Sequence, residues 1–259
     1  FKYGQVSVLI VLGISLALSY QREGRSTAGG LVLAAVASIK YYPAIALIYF
    51  VFLRDIRFLA AFAVGIFGFL GLLPALWLGL DGWWRYTSET IHTFPKYDMF
   101  LGAFGSQYFL HVALRWAFNL GQPLTEHGYH VLRWLSVALF IAHAAFAAWL
   151  YRHGGERGPI LATAALFLSL PMAVPSSWPH YFVYLPLCQA ALAAALAEQN
   201  GWPRLLWLPL ALSALGQNIY FYIAFSSFSS FIVYYSTGVL AVANLLALAT
   251  LYGLGVALH

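Results

Sequence analysis

The sequence predicts an all-α fold, a polytopic transmembrane helical bundle, and three observations support this prediction. Hydrophobic residues occupy 62% of the 259 positions. Charged residues make up only 8%, whereas a soluble domain carries about 25%. The charge-free apolar stretches approach the roughly 20 residues that a membrane-spanning helix needs. Such an inventory cannot cover a water-facing surface, so we expect about eight to nine membrane segments, some short or broken.

The composition also excludes several classes of function. The net charge is +5, but the 13 basic residues are scattered between apolar runs and form no stripe for nucleic acid. Cys188 is the only cysteine, so no disulfide framework and no cysteine-based metal site is expected within the chain. The histidines show no ligand spacing, and we interpret His143 as a buried helix residue. We therefore expect no metal and no cofactor.

The first elements are a span and a broken hairpin. The first predicted span covers residues 6–20 and ends at an Arg-bearing polar run that we place inside. The next inner run, residues 54–57, comes only after the apolar stretch 29–53. If both runs lie inside, this stretch must enter the membrane and return, and Pro43 places the break at residues 40–43.

A full span and a long outer segment follow. Residues 58–80 form the span, which leads to the outer side. Residues 81–130 are predicted to be an outer-face loop with an interfacial amphipathic helix over residues 106–120. The remaining predicted spans are residues 131–150, 158–174, 181–197, 205–220 and 231–257. We interpret residues 1–259 as a single transmembrane domain.

The basic residues set the expected orientation. Seven of the 13 fall in short inner loops, each of which carries at least one Arg, as the positive-inside rule describes. We expect a multi-pass protein of the cell membrane that contacts membrane lipids and has its active face outward. The chain opens at Phe1 with neither a Met nor a signal peptide, so we expect it to be the C-terminal part of a longer protein.

Lys40 is the first candidate site residue. A Lys or Arg at the centre of a membrane helix costs about 2.5 to 3.5 kcal/mol and usually has a function. In the hairpin turn its ammonium would be half-buried below the outer surface, where it suits an anionic phosphate. The alternative is that Lys40 snorkels to the headgroups and only anchors the hairpin. The break at Pro43 favours a site, because the freed backbone groups need protein or a polar cavity.

The outer turn over residues 174–181 is the second candidate. It contains two prolines, two serines, an indole and an imidazole. His180 suits donation to a phosphate or sugar oxygen, or proton transfer near neutral pH, and Trp178 offers a face for stacking a sugar ring. The alternative is an interfacial aromatic belt with a solvated histidine.

A third candidate lies at residues 102–107. Its glycines allow a tight backbone turn, which Ser106 and Gln107 follow immediately. Ser106 at a helix start is typical of an N-terminal cap, and a helix N-terminus is also an anion site. Capping is the simpler interpretation.

These segments together resemble a known family. The motifs in chain order are Gly4-Gln5-x-Ser7, Ala28-Gly29-Gly30-(x)9-Lys40-x-x-Pro43, Gly105-Ser106-Gln107 and Ser176-x-Trp178-x-His180. They resemble glycosyltransferase family 87, integral membrane mannosyltransferases of the C-type superfamily, over nearly the whole chain. The resemblance implies inverting transfer of a sugar, often mannose, from a polyprenyl-phosphate donor to a lipid or glycan acceptor on the outer face.

The resemblance also implies roles for individual residues. Lys40 and His180 would contact the donor phosphate. The other substrate-binding candidates are Gln5, Ser106, Gln107, Trp178 and Tyr181. The chain departs from the family pattern at Ser7, where Asn is common, and in the order Gly105-Ser106-Gln107. The general base is expected in an outer loop upstream of the first helix. The alternatives within the chain are Asp98, Glu89 and Asp81.

Two other functions compete with transfer. A transporter or flippase of lipid-linked saccharides would also need aromatic and polar groups, but transporters bind near the midplane between internal repeats. The two halves of this chain show no similarity to each other. A catalytically inactive membrane relative that lacks the base is the other alternative.

Overall fold

The protein is built from helices, as its composition predicts. A computed structural model describes residues 5–105, 112, 126–173, 179–226 and 238–258. Within these ranges every regular element is a helix and no strand occurs. Two compact units divide the chain, Phe1–Tyr97 and Asp98–His259, and each is described by itself.

The first unit contains four helices and the start of a fifth. Helices α1 to α4 cover Gln5–Arg22, Ser26–Ile39, Leu47–Phe52 and Ile56–Ile66, with a 3-10 helix over Tyr42–Ala46 between α2 and α3. Helix α4 continues through a π-helical turn, Phe67–Leu72, into α5, Leu73–Gly105. Helix α2 packs against both α1 and α4, so it is the central helix of this unit.

Two glycines allow α2 to approach its neighbours closely. A Cβ atom added at Gly30 would lie 2.4 Å from the carbonyl oxygen of Phe58, and one added at Gly29 would lie 2.8 Å from that of Ala17. Small residues are typical of membrane helix interfaces because they let backbones meet. The ring of Phe58 closes the contact by stacking on Phe50, with the centroids 3.5 Å apart.

Asp55 ties the starts of α2 and α4 together. One carboxylate oxygen accepts the backbone N–H of Phe58 at 3.0 Å, which caps the first turn of α4. The other accepts the hydroxyl of Ser26, the first residue of α2, at 2.6 Å. The predicted inner run at residues 54–57 therefore sets the register of these two helices.

Within the described residues, the second unit contains six further helices. Helices α6 to α11 cover Glu126–His153, Gly158–Leu168, Leu170–Ala173, Leu185–Ala197, Trp207–Ser226 and Val239–Ala257. Three 3-10 helices connect some of them, Gly155–Arg157, Pro179–Tyr184 and Trp202–Leu206. Helix α7 packs against α6, α9 and α11, and its residues from Leu161 onward are all buried. It is the centre of this unit, as α2 is of the first.

Three of the described helices are long and apolar enough to cross a membrane. These are Ile56–Glu89, which runs from α4 into α5, Trp134–His153 and Val239–Ala257. Shorter apolar helices cover Val8–Arg22, Ser26–Ile39, Tyr42–Phe52 and Phe182–Ala197. The all-α bundle is confirmed in class, whereas eight to nine spans and a single domain stay predictions.

The structure differs from the sequence interpretation after residue 80. Gly79 adopts φ 73° and ψ 160° within this range, non-helical angles that glycine reaches at little cost, so two helical segments meet at a kink close to the predicted end of the span. Beyond the kink the chain is helical as far as Gly105, not a loop from residue 81. Across the kink the indole N–H of Trp83 donates to the carbonyl of Leu70 at 2.9 Å, which links the two helical segments.

The close contact at Gly30 yields a stability prediction. Gly30→Ala places a methyl group against the Phe58 carbonyl and the Ala61 side chain, so we expect it to destabilise the first unit by about 1 to 3 kcal/mol. Gly68→Ala is the matched control, because nothing lies within 4 Å of its added Cβ and alanine favours helix. Thermal unfolding in detergent should show a lower Tm for the first variant only. Equal Tm values would contradict the close packing.

Candidate functional site

Lys40 lies at a break between two apolar helices. Helix α2 ends at Ile39, and Lys40 has extended backbone angles, φ −144° and ψ 131°, while its N–H still donates to the Val36 carbonyl at 3.1 Å. The 3-10 helix Tyr42–Ala46 follows with Pro43 in its first turn. Proline has no N–H and cannot continue α2. The break predicted at residues 40–43 is confirmed.

The side chain of Lys40 is half-buried. Next to it along the chain, Tyr41 is 44% exposed, whereas Tyr42 is 2% exposed and Pro43 is buried. Lys40 lies outside both apolar helices, and burial lowers the pKa of its ammonium, since desolvation disfavours the charged form. A partly desolvated cation attracts an anion more strongly than one in bulk water, so this position suits a phosphate.

A second break lies in the other unit. Helix α7 ends at Leu168, the short α8 ends at Ala173, and the 3-10 helix Pro179–Tyr184 then leads into α9. His180 and Tyr181 belong to this 3-10 helix, and their side chains lie outside the described part of the structure. Trp178, like the rest of residues 174–178, also lies outside it.

Aromatic side chains hold this 3-10 helix in the core. Phe182 is fully buried and Tyr184 is 2% exposed. The Tyr184 ring lies 5.9 Å from that of Phe182 and 5.7 Å from that of Phe167 in α7, between centroids. The backbone that carries His180 is therefore attached to the buried helix of its unit.

Polar residues that the sequence interpretation missed reinforce this attachment. The Tyr184 hydroxyl donates to Oδ1 of Asn244 at 3.1 Å, and Nδ2 of Asn244 donates to the Leu168 carbonyl at 2.7 Å. A separate link joins Gln189 Nε2 to the Ser213 hydroxyl at 2.9 Å. Asn244 was detectable, because an asparagine at the sixth position of an apolar 19-residue helix is costly and usually functional.

Both breaks lie at helix ends remote from the Arg-bearing turns. Arg157 precedes α7 and Glu198 follows α9, whereas Leu168 and Tyr184 lie at the opposite ends of these helices. Arg157 makes a two-pronged ion pair with Glu198, including an Nε to Oε2 contact of 3.2 Å. The pair raises the pKa of Arg157 and lowers that of Glu198. Thirteen residues of helix separate the two ends of α9 by about 20 Å.

The first unit has the same arrangement. Ser26 and Asp55 meet at the start of α2, and Lys40 follows its other end. Within each unit, therefore, the charged run and the candidate site residue lie at opposite ends of the central helices. Which side of the membrane each end faces stays a prediction.

The other predicted site residues are only partly described. Gln5 begins α1, and its side chain lies outside the described part. Ser106 and Gln107 lie outside the described residues; the chain just before them is helical to Gly105 and not the tight turn expected from its glycines. Of the alternative bases, Asp81 and Glu89 are exposed on α5. Asp98 lies in the same helix, without a described side chain.

His143 and Gln217 are also among the buried polar residues of the second unit. His143 is 5% exposed, as predicted for a buried helix residue, and its Nδ1 lies 2.7 Å from the Leu139 carbonyl. Gln217 is also 5% exposed. Among the described residues, no three His, Cys, Asp or Glu side chains are grouped as a metal ion would require.

Comparison with known proteins gives two matches. The sequence model of glycosyltransferase family 87 matches residues 1–177. A polyprenol-phosphate-mannose-dependent alpha-(1-2)-phosphatidylinositol pentamannoside mannosyltransferase from Mycolicibacterium smegmatis is 30% identical over 221 residues. The match covers 83% of this chain and 50% of that relative, so the chain spans about half the relative's length. No solved structure matches the chain significantly.

Proposed function

This chain belongs to glycosyltransferase family 87, and on that premise we propose that it transfers a sugar within the membrane. The donor is a polyprenyl-phosphate sugar, the sugar is mannose, and the acceptor is a lipid or glycan at the outer face of the cell membrane. The name of the mycobacterial relative supports the donor class and a glycolipid acceptor. The apolar helices support a protein embedded in membrane lipids.

One observation carries the proposal, the half-buried Lys40 at the break between α2 and the 3-10 helix. A polyprenyl-phosphate donor keeps its isoprenoid chain in the bilayer, so its phosphate lies near the membrane interface. The cationic side chain that binds this phosphate must therefore lie next to apolar helices, not on an exposed polar loop. Lys40 meets this requirement, because apolar helices lie on both sides of it along the chain.

The proposed chemistry is a displacement at the sugar's anomeric carbon. The acceptor hydroxyl oxygen forms the new bond to that carbon while the bond to the phosphate oxygen breaks, which inverts the configuration. A general base takes the hydroxyl proton, and polyprenyl phosphate leaves with the bonding electrons. Lys40 stabilises the negative charge that grows on the leaving phosphate.

The remaining candidates complete the proposed site. His180 donates a second hydrogen bond to the donor phosphate, and Trp178 stacks on the sugar. Gln5, Ser106, Gln107 and Tyr181 are assigned to substrate binding. The general base is assigned to a carboxylate of an outer loop ahead of the first helix, with Asp98, Glu89 and Asp81 as alternatives. The helix order supports an outer-face site, since both breaks lie at ends remote from the Arg-bearing turns.

Removal of the Lys40 charge is the primary test. In the full-length protein, Lys40→Ala should lower kcat/KM for transfer from polyprenyl-phosphate mannose about 100-fold, a loss of the size seen when one transition-state donor is removed. Lys40→Arg should retain part of the activity, because it keeps the charge. The matched control is Arg25→Ala at the other end of α2, which should leave transfer unchanged. Transfer is followed as radiolabelled mannose moved into the acceptor lipid.

Two results would contradict this proposal. Unchanged turnover in Lys40→Ala would show that the ammonium does not serve the donor. If the wild-type protein moved a lipid-linked saccharide across the membrane of lipid vesicles without transferring its sugar, the flippase function would be favoured instead.

The lowered pKa of Lys40 gives a pH prediction. Only the protonated amine attracts the phosphate, and burial lowers its pKa from the ordinary 10.5. The donor kcat/KM should therefore fall as pH rises, with a midpoint below 10.5. Lys40→Arg should lack this alkaline limb, because a guanidinium does not titrate in that range. An identical limb in the arginine variant would assign the titration to another group.

His180 is tested through the identity of its replacement. His180→Ala should lower kcat for mannose transfer by about 10- to 100-fold, since one hydrogen bond to a charged group contributes about 1.5 to 3 kcal/mol. His180→Gln keeps a donor and should recover part of the loss if His180 only donates. Equal activity of wild type and the alanine variant would favour the solvated histidine of an aromatic belt.

A further inference from the structure

We propose that Asn244 is a positioning residue for the transfer reaction, which holds the 3-10 helix carrying His180 at the end of α7. The inference rests on the function proposed above. Asn244 does not touch substrate in this assignment; it acts through Tyr184 and the backbone. The protein would thus use a polar side chain of its last described helix to place a substrate-binding element about 60 residues earlier.

Both ends of the Asn244 amide are used. The side chain is 1% exposed in α11. Its Oδ1 accepts the Tyr184 hydroxyl at 3.1 Å, and its Nδ2 donates to the Leu168 carbonyl at 2.7 Å. The asparagine amide offers its acceptor and its donor on two separate atoms, so one side chain can bind two groups at once. A hydrophobic residue of similar size could fill the space but could make neither bond.

The two partners lie on either side of the second break. Leu168 is the last residue of α7, where a helix leaves carbonyls without internal partners. Tyr184 is the last residue of the 3-10 helix Pro179–Tyr184. One side chain therefore links the chain before the break to the chain after it. Neither partner alone could fix the separation of these two segments.

His180 lies four residues before Tyr184 in the same 3-10 helix. At about 2 Å per residue, the Tyr184 anchor is about 8 Å from His180 along the helix axis. Stacking on Phe182 and a tilted contact with Phe167 restrain the Tyr184 ring, and the hydrogen bond to Asn244 restrains its hydroxyl. Errors of 1 Å in the placement of a reacting group can lower a rate about 100-fold, so loss of this anchor should affect turnover.

The neighbouring polar link offers a matched control. Ser213 is fully buried, accepts Gln189 Nε2 at 2.9 Å and donates to the Ala243 carbonyl at 2.6 Å. It contacts α11 one residue before Asn244 and also makes two buried hydrogen bonds. These bonds join α9, α10 and α11 and reach neither Leu168 nor Tyr184. Ser213→Ala therefore reproduces the loss of buried hydrogen bonds without touching the break.

The experiment compares Asn244→Ala with Ser213→Ala in the full-length protein, reconstituted in lipid nanodiscs. Three quantities are measured: Tm, hydrogen exchange of the peptide covering residues 179–184, and steady-state mannose transfer. Both variants should lower the Tm. Only Asn244→Ala should speed exchange at residues 179–184, and only it should lower kcat, by about tenfold or more. Tyr184→Phe, which keeps the ring and loses the hydroxyl, should show a smaller loss in kcat.

A double substitution separates positioning from general damage. If Asn244 acts through the His180 element, His180→Ala should lower kcat much less in the Asn244→Ala background than in wild type. In the Ser213→Ala background His180→Ala should keep its full effect. Equal losses of kcat in all three backgrounds would overturn the proposal.

The exchange measurement distinguishes the failure of this inference from failure of the proposed function. Unchanged exchange at residues 179–184 in Asn244→Ala would overturn the inference whatever the activity. The inference would also be overturned if Asn244→Ala exchanged faster at residues 179–184 but had the same kcat as Ser213→Ala. A wild-type protein that transfers no mannose would overturn the proposed function, and with it any role of Asn244 in transfer.

Discussion

The satisfaction of backbone polar groups at helix breaks, within an apolar protein, is the constraint on which the other features depend. Water is absent from the bilayer core, so each carbonyl freed by a break needs a partner from the protein or from a polar cavity. At the end of α7 the partner of the Leu168 carbonyl is Asn244. At the start of α4 the Asp55 carboxylate accepts a hydrogen bond from the backbone N–H of Phe58. Polar side chains therefore collect at helix ends and breaks, and the proposed transfer would use those at the breaks.

Close helix packing makes these breaks stable enough to be useful. Gly29 and Gly30 remove the side chains that would keep α1 and α4 away from α2, and α7 occupies the corresponding central place in the second unit. A central helix held on several sides keeps a fixed end. The residue that follows that end, Lys40 in one unit, then has a defined position even though its own side chain is long and flexible.

The arrangement also explains how a chain with 8% charged residues divides them between structure and function. Asp55 binds Ser26 at one end of α2, and Arg157 pairs with Glu198 at the turns before α7 and after α9. These charges form hydrogen bonds and an ion pair at the turns between helices. Lys40 follows the opposite end of α2, next to apolar helices, where partial desolvation strengthens the attraction of a cation for an anion.

The sequence by itself determined the helical class, the break at residues 40–43 and the resemblance to family 87, because these depend on composition, proline chemistry and local motifs. Only the tertiary structure decided which polar residues meet. Asn244 lies 60 residues from Tyr184 and 76 residues from Leu168 along the chain. The sequence alone does not show that Gly30 packs against the Phe58 carbonyl. The helical segment beyond Leu80 was likewise not evident from the sequence, although the non-helical angles of Gly79 separate it from the preceding helix close to the predicted end of the span. Local patterns specify where a helix starts or breaks, whereas contacts between distant segments depend on how the helices pack.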